Sequence, residues 1–265
     1  MSQPFLKWAG GKRQLLPVLR SRIPKSFGTY FEPFLGGGAL FFSLSANKAV
    51  LNDINVELIE CYETVRDRPE QLIDSLKRHV NTEDYFYAIR AQDPGKMTKV
   101  EAASRLIYLN RTCFNGLYRV NKKGGFNTPY GRYKSPNLVP EELIREASTA
   151  LAGATLLSGH FGNAVENAAE GDFVYLDPPY FPISDFSDFR RYSRVPFDND
   201  DQRELAQAFK ELSSRGCLAM LSNSSVAEVH DLYADFHIET IKARRNINSR
   251  AGKRGDVDEV VVRNY

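Results

Sequence analysis

The sequence predicts an α/β fold: a Rossmann-like sheet with helices on both faces and an antiparallel hairpin near the carboxyl end. Short apolar runs rich in aromatic and β-branched residues alternate with amphipathic segments through most of the chain. One such run, 30–34, leads into a glycine-rich turn and a helix. Another, 173–176, stops at Asp177 before two prolines. In open α/β sheets, ligands bind at the carboxyl ends of such strands.

The length and composition indicate one large globular domain, or one domain with a substantial insertion. Hydrophobic residues make up 42% and charged residues 26% of the 265 positions, which is ordinary for a globular protein. No apolar run approaches the ~18 residues of a membrane span. The first residues lack the apolar stretch of a signal peptide. We therefore expect a cytoplasmic protein that is not bound to a membrane.

The cysteines and histidines indicate neither a disulfide framework nor a metal site. The three cysteines are odd in number and far apart, and the four histidines show no ligand spacing. They are Cys61, Cys113, Cys217, His79, His160, His230 and His237. We expect a reducing environment and no bound metal.

The net charge of +2 is small, but the basic residues are segregated. The stretch 112–140 holds five basic residues and no acid, and 241–255 holds six basic residues and no acid. A smaller basic cluster lies at 190–194. Segregated basic loops favour an extended anionic partner. For any one cluster, a solvated basic surface stays the alternative.

The amino-terminal half begins with the segment F-L-K-W-A-G-G-K at 5–12. The glycine pair permits a tight turn or a close approach to a ligand. Trp8 is suited to cover a ligand face or to join the core, and the sequence leaves both open. A helix is predicted over 14–19, a strand over 30–34 and a helix after the glycines.

The next strand, 49–52, ends at Asp53, which lies 17 positions beyond Gly36. This distance is near the ~20 positions at which an acid binds ribose hydroxyls after a glycine-rich turn. The turn is not a full G-x-G-x-x-G, so it does not by itself indicate a phosphate site.

Four helical patterns without a strand follow, which departs from strand–helix alternation and predicts an inserted helical subdomain. The patterns cover 56–66, 69–79, 82–90 and 100–110. A loop-rich block, 112–134, continues the insertion and alternates five aromatic residues with basic ones. The residues 122–125 are suited to turn a hairpin in it. We predict a main α/β domain over 1–65 and 140–265, with an inserted subdomain over 66–139.

The carboxyl-terminal half returns to alternating elements. Predicted helices cover 141–151, 163–169, 201–214 and 227–233, and predicted strands cover 155–158, 173–176 and 218–221. The segment 181–197 is long, aromatic and basic, and we predict that it forms a flap over the ligand-binding edge of the sheet. Strands at 237–241 and 259–262 bracket the second basic loop as an antiparallel hairpin.

The segment D-P-P-Y, residues 177–180, carries the strongest chemical signal. Proline fixes φ and has no N–H, so the carbonyls of Asp177 and Pro178 are held in set directions. The carboxylate and the Pro178 carbonyl can each accept one hydrogen of an amine, while Tyr180 stacks on a ring. These atoms suit a planar heterocycle that carries –NH2. For an isolated D-P-P-Y, a turn with Asp177 as a cap and Tyr180 in the core is the alternative.

Six segments, taken in order, resemble the Dam-type DNA adenine methyltransferases. They are F-L-K-W-A-G-G-K, E-P-F-L-G-G-G, L-N-D-I-N, F-N-G-L-Y-R, D-P-P-Y and L-S-N-S-S. The order cofactor, recognition, catalysis is that of the alpha class of amino-methyltransferases. The resemblance implies a methyltransferase sheet, S-adenosylmethionine as cofactor, and methylation of adenine in double-stranded DNA at GATC. The target base would be flipped out of the duplex.

The resemblance also assigns residues. Catalytic roles fall on Asp177, Pro178 and Tyr180. Cofactor contacts fall on Trp8, Ala9, Gly10, Lys12, Phe34, Gly36, Asp53 and Asp177. DNA contacts fall on Lys7, Asn115, Leu117, Arg119, Pro129, Arg132, Tyr133 and Lys134. No obligate protein partner is expected, and the roles of 181–197 and 242–256 stay open.

Two rival hypotheses remain at this point. One is an amino-methyltransferase with another target: a cytosine amine, an RNA adenine or a protein glutamine. The other is a DNA-binding regulator that keeps the fold without turnover. The sequence also leaves open whether a restriction endonuclease accompanies the protein.

Overall fold

A computed structural model of the protein describes residues 2–8, 10, 12–44, 46–121, 124–182, 197–244 and 256–265. Its helices are α1 (Leu16–Arg20), α2 (Ala39–Ser43), α3 (Val56–Asp67), α4 (Pro69–Leu76), α5 (Glu83–Ala91), α6 (Lys99–Thr112), α7 (Glu141–Leu151), α8 (Phe161–Ala164), α9 (Asn199–Ser214) and α10 (Ala227–Leu232). Its strands are β1 (Tyr30–Glu32), β2 (Ala49–Asp53), β3 (Ala154–Ser158), β4 (Phe173–Leu176), β5 (Leu218–Ser224), β6 (His237–Arg244) and β7 (Asp256–Arg263).

The strands form one sheet in the order β3-β2-β1-β4-β5-β7-β6. Strands β1 to β5 pair in parallel, whereas β7 is antiparallel to both β5 and β6. The predicted α/β fold and its carboxyl-terminal hairpin are therefore confirmed. The order places β1 and β4 side by side, with β2 next to β1, so the turns after these three strands lie at one edge.

Successive residues of each strand point to opposite faces of the sheet, and each face carries its own apolar cluster. Phe173 and Tyr175 of β4 belong to the cluster that contains α1 to α7. Val174 and Leu176 belong to the second cluster, which contains α8, α9 and α10. Helices thus cover both faces, as the sequence predicts.

The helices between β2 and β3 pack on the first face. Leu72 of α4, Phe86 of α5 and Leu106 of α6 are fully buried and share one apolar cluster with Tyr62 of α3 and Tyr30 of β1. The helix α6 begins with a capping box, in which Thr98 and Glu101 each bind the backbone N–H of the other. Helices α4, α5 and α6 therefore share one apolar cluster with α3 and the sheet.

Several predicted boundaries are wrong. The strand predicted over 30–34 ends at Glu32, because Pro33 has no N–H for a ladder. The short helix predicted over 163–169 covers Phe161–Ala164 instead, since the His160 side chain caps it by accepting from Gly162 N. The strand predicted over 218–221 continues to Ser224, because its polar residues pair with β7.

Within the described residues, none of the helices has both the length and the apolar character of a membrane span.

Candidate active site

The candidate site lies where β1, β2 and β4 end. The turn after β1 contains Gly36, β2 ends at Asp53, and β4 is followed by Asp177. Because these strands are parallel neighbours, their carboxyl ends meet at one edge of the sheet. The structure therefore brings together three of the residues that the sequence singles out.

Lys12 lies between the two functional groups of the D-P-P-Y turn. Its Nζ is 2.9 Å from Asp177 Oδ1 and 4.2 Å from the centroid of the Tyr180 ring. Both charged side chains are mostly buried, at 9% exposure for Lys12 and 19% for Asp177. The Tyr180 hydroxyl donates to Glu259 Oε2 on β7 at 2.9 Å. A carboxylate, an ammonium and a phenol ring thus form one compact group.

The pKa of the Asp177 carboxyl is raised towards neutral pH. Burial raises its pKa to about 6, although the Lys12 charge and hydrogen bond lower it. The negative charge of Glu259 raises it further. The Lys12 ammonium is the charged partner of this carboxylate, 2.9 Å from Oδ1. Because a carboxylate offers about four acceptor positions, Asp177 can accept a further hydrogen from a ligand.

Asp53 fixes the glycine-rich turn. Its Oδ2 accepts from Gly36 N and its Oδ1 accepts from Asn55 N, both at 2.9 Å. Burial raises the pKa of Asp53. The Tyr62 hydroxyl donates to the Gly36 carbonyl at 3.1 Å. The turn after β1 and the end of β2 are thereby joined.

Trp8 packs directly on this turn. Gly36 has φ +48°, and a Cβ there would lie 2.8 Å from Trp8 Cδ1, so the close packing requires glycine. Trp8 also stacks on Tyr118, with ring centroids 4.9 Å apart. The Phe34 ring stacks on Phe161, 5.3 Å away, beyond the end of β1.

The loop block after α6, residues 112–134, folds back on itself as two short antiparallel segments. Isolated antiparallel bridges join Cys113 with Tyr130 and Val120 with Phe126. The Arg119 side chain is exposed, and its Nε donates to Asn127 Oδ1 at 2.8 Å. The predicted hairpin turn is closed by Asn121 N, which donates to the Gly125 carbonyl. Its tip, 122–123, lies outside the described residues.

The other predicted DNA contacts lie in this block except Lys7, and two of them contact other side chains. Arg132 donates to Glu83 Oε1 at 2.9 Å, and the Lys7 ammonium lies 5.2 Å from the centroid of the Tyr133 ring. The exposed members are Asn115, Arg119, Pro129, Arg132 and Lys134, and the half-buried ones are Leu117 and Tyr133.

Some positions singled out by the sequence lie outside the described residues. Ala9 is one of them. The others are 183–196 of the proposed flap and 245–255 of the second basic loop. Gly10, which is described, has φ +75° and open space where a Cβ would be.

The structure adds site residues that sequence reasoning missed. Glu259 holds the Tyr180 hydroxyl, but the sequence pattern assigns it only to a strand. Glu57 accepts from the Tyr118 hydroxyl at 3.0 Å and pairs with Arg105 at 3.1 Å. Both are acids at half-buried positions, a signal that a sequence does not reveal before the packing is known.

The chain is similar in sequence to known proteins over nearly all of its length. A model of the D12 class N6 adenine-specific DNA methyltransferases matches residues 8–247. "Type II methyltransferase M1.LlaDCHI" of Lactococcus lactis subsp. cremoris is 48% identical, over 99% of this chain and 95% of that protein. "Type II methyltransferase M.MjaIII" of Methanocaldococcus jannaschii is 38% identical, over 99% of both chains. "DNA adenine methylase" of Escherichia coli strain K12 is 32% identical, over 98% of this chain and 95% of that protein.

Proposed function

Because the chain belongs to the D12 class of N6 adenine-specific DNA methyltransferases, we propose that it methylates the adenine of GATC in double-stranded DNA. The enzyme transfers a methyl group from S-adenosylmethionine to the exocyclic amine of adenine in DNA. This activity decides against the cytosine, RNA and glutamine targets and against a regulator without turnover. The choice of GATC rests on the resemblance of the six ordered segments to the Dam-type enzymes.

We propose that Asp177 and the Pro178 carbonyl accept the two amine hydrogens of a flipped adenine. The observation that carries this role is the mostly buried Asp177 carboxylate directly after β4, whose charged partner is the Lys12 ammonium, 2.9 Å from Oδ1. A carboxylate offers about four acceptor positions, so Asp177 can accept a hydrogen from a bound amine in addition to the Lys12 contact. Two acceptors draw electron density to a nitrogen whose lone pair is otherwise delocalised into the ring. Tyr180 supports the ring, with its hydroxyl held by Glu259.

The residues at the strand ends fit the cofactor. The glycine-rich turn after β1 packs so closely against Trp8 that a Cβ at Gly36 would overlap the indole ring. The carboxylate of Asp53 is fixed by two backbone N–H groups, which suits it to a ribose hydroxyl. When bound, S-adenosylmethionine supplies an electrophilic methyl group. We propose that the residues that contact it are Trp8, Ala9, Gly10, Lys12, Phe34, Gly36, Asp53 and Asp177.

The part played by this chain in the transfer is positioning and electrostatics. Lys12 now lies over the Tyr180 ring and against Asp177, so an incoming base must share or displace it on that face. Asp177 orients the amine and stabilises the positive charge that develops on nitrogen. Transfer would form an N–C bond as the S–C bond breaks, with S-adenosylhomocysteine as the leaving group and one amine hydrogen lost as a proton to solvent.

We propose that residues 66–139 carry the recognition function. This region contains the exposed basic block around Arg119, whereas the predicted catalytic residues lie at the sheet edge. Lys7 joins the recognition group through its position at the Tyr133 ring. Phosphate contacts would position the duplex and base contacts would select the sequence.

A mapping experiment tests the proposal. Plasmid free of adenine methylation is incubated with the protein and S-adenosylmethionine, and N6-methyladenine is then located by sequencing. We expect methylation at GATC on both strands and none with Asp177→Ala, whose DNA affinity should stay close to that of the wild type. Methylated adenines in another sequence would refute GATC and leave adenine methylation intact. Full activity of Asp177→Ala would refute the role of Asp177.

A further inference from the structure

The segment L-S-N-S-S, residues 221–225, resembles a family segment but has no role in the site described above. Its residues up to Ser224 form the end of β5, next to β4. Asn223 and Ser224 are fully buried polar side chains. Buried polar groups need partners, so the partners of these two residues indicate what they do.

Both side chains bind the backbone just beyond the D-P-P-Y turn. Asn223 Oδ1 accepts from Phe181 N at 3.1 Å, and Ser224 Oγ donates to the Phe181 carbonyl at 2.9 Å. The two polar atoms of one backbone residue are therefore held by neighbouring side chains of β5. Phe181 itself is buried in the second apolar cluster.

A third side chain completes the contact from α9. Gln202 Nε2 donates to the Pro179 carbonyl at 2.8 Å, and Gln202 Oε1 accepts from Asn223 Nδ2 at 3.2 Å. Gln202 is 2% exposed. The two amides thus form a chain of hydrogen bonds, in which Asn223 donates to Gln202 and Gln202 donates to the turn.

The two prolines limit the backbone hydrogen bonds that the turn can form. Pro178 and Pro179 have no N–H, so this stretch cannot form the backbone bonds that usually fix a turn. Among the hydrogen bonds of the described residues, none goes to the Pro178 carbonyl. The side chains on β5 and α9 bind the positions on either side of Tyr180 and leave that carbonyl available.

We propose that Gln202, Asn223 and Ser224 are positioning residues for methyl transfer, because they fix the direction of the Pro178 carbonyl and the Tyr180 ring. This inference rests on the proposed role of the D-P-P-Y turn. The three residues bond the backbone of Pro179 and Phe181 and each other, so any effect on methyl transfer is exerted through the turn. A misplacement of about 1 Å at a reacting centre costs on the order of 100-fold in rate.

The test compares Gln202→Met with Gln207→Met. Both glutamines lie on α9, but Gln207 is exposed and bonds Glu211 on the same helix. Single-turnover methyl transfer is measured at saturating S-adenosylmethionine and GATC duplex, together with the Kd of each. We expect Gln202→Met to lower the transfer rate about 10-fold to 100-fold. Both Kd values should stay within about threefold of wild type, and Gln207→Met should match wild type throughout.

Ser224→Ala provides a milder variant that removes one hydroxyl, should Gln202→Met fail to fold. It should lower the same rate by roughly 3-fold to 10-fold with the Kd values unchanged. A folded Gln202→Met or Ser224→Ala with the wild-type transfer rate would overturn the inference. Weaker binding with an unchanged transfer rate would overturn it as well. Wild-type protein that leaves adenine unmodified would instead refute the proposed function.

Discussion

The Asn110 carboxamide hydrogen-bonds both backbone polar atoms of Lys7. Its Oδ1 accepts from Lys7 N at 2.9 Å, and its Nδ2 donates to the Lys7 carbonyl at 2.7 Å. The same Nδ2 donates to the Gly116 carbonyl at 3.1 Å. Asn110 is fully buried at the end of α6. One side chain therefore joins the segment that carries Lys7 and Trp8 to the start of the proposed recognition block.

Asn110→Leu should weaken both recognition and cofactor binding. The change leaves three backbone groups without this partner, at a cost of about 1–3 kcal/mol for each group that water cannot reach. We expect a lower melting temperature, a higher Kd for S-adenosylmethionine and poorer discrimination between GATC and altered duplexes. Asn137→Leu, at an exposed position in the same region, is the control. A variant that loses stability but keeps both binding properties would show that Asn110 serves the fold and not the site.

The ion pair of Lys12 and Asp177 predicts the pH dependence of methyl transfer. Asp177 accepts hydrogen bonds as a carboxylate, so the rate should fall as pH drops through its pKa of about 6. Lys12 lowers that pKa, and Lys12→Met should therefore move the acid limb to higher pH. Glu259 raises it, and Glu259→Gln should move the limb to lower pH while still accepting from Tyr180.

The measurement is the single-turnover rate between about pH 5 and about pH 8, at saturating cofactor because Lys12 is also a proposed cofactor contact. Shifts in opposite directions would support ionised Asp177 as the working form. An acid limb that stays in place in both variants would assign the titration to another group.

The sequence predicts the edge of the sheet but not the contacts that complete it. Strand runs that end at Asp53 and Asp177 are visible as apolar stretches, and parallel pairing then brings their ends together. Polar residues inside a buried strand break that pattern. Ser222 and Asn223 accordingly suggest an early end to β5, although both are buried and paired.

The sequence does not predict contacts between distant segments, for a different reason. Lys7 and Asn110 lie 103 positions apart, and their bonds depend on how α6 packs against the amino-terminal segment. Likewise, Glu259 and Tyr180 meet only because β7 is inserted between β5 and β6. Periodicity describes each element in isolation and carries no information on these pairings.

Glu32 should make folding stability depend on pH. It is buried below the site, where Tyr30 OH and Phe41 N donate to its Oε2, and burial raises its pKa to about 8. Between its ordinary pKa and about 8, the folded protein binds a proton that the unfolded chain releases. The free energy of unfolding should therefore fall as pH rises through this window, by at most about 1.4 kcal/mol per pH unit.

Glu32→Gln keeps an acceptor for both donors and removes the titration. Urea unfolding at several pH values should show a flatter dependence in this variant above about pH 6, where the contribution of Asp177 is complete. Parallel curves for the two proteins would mean that Glu32 is ionised in the folded state.

Arg119 and Lys134 should differ in what they recognise. Asn127 Oδ1 accepts from Arg119 Nε and so fixes the plane of an exposed guanidinium. A planar guanidinium suits the two acceptors of guanine in the major groove, a contact worth about 1–3 kcal/mol of discrimination. Arg119→Ala should lower kcat/KM on GATC but much less on a duplex with that guanine replaced. Lys134→Ala should weaken binding on both duplexes alike and reduce the salt dependence by about one ion. Equal losses on both duplexes for Arg119→Ala would identify Arg119 as a phosphate contact. Asn127→Ala, which removes the side chain that orients the guanidinium, should also lower kcat/KM on GATC more than on the altered duplex.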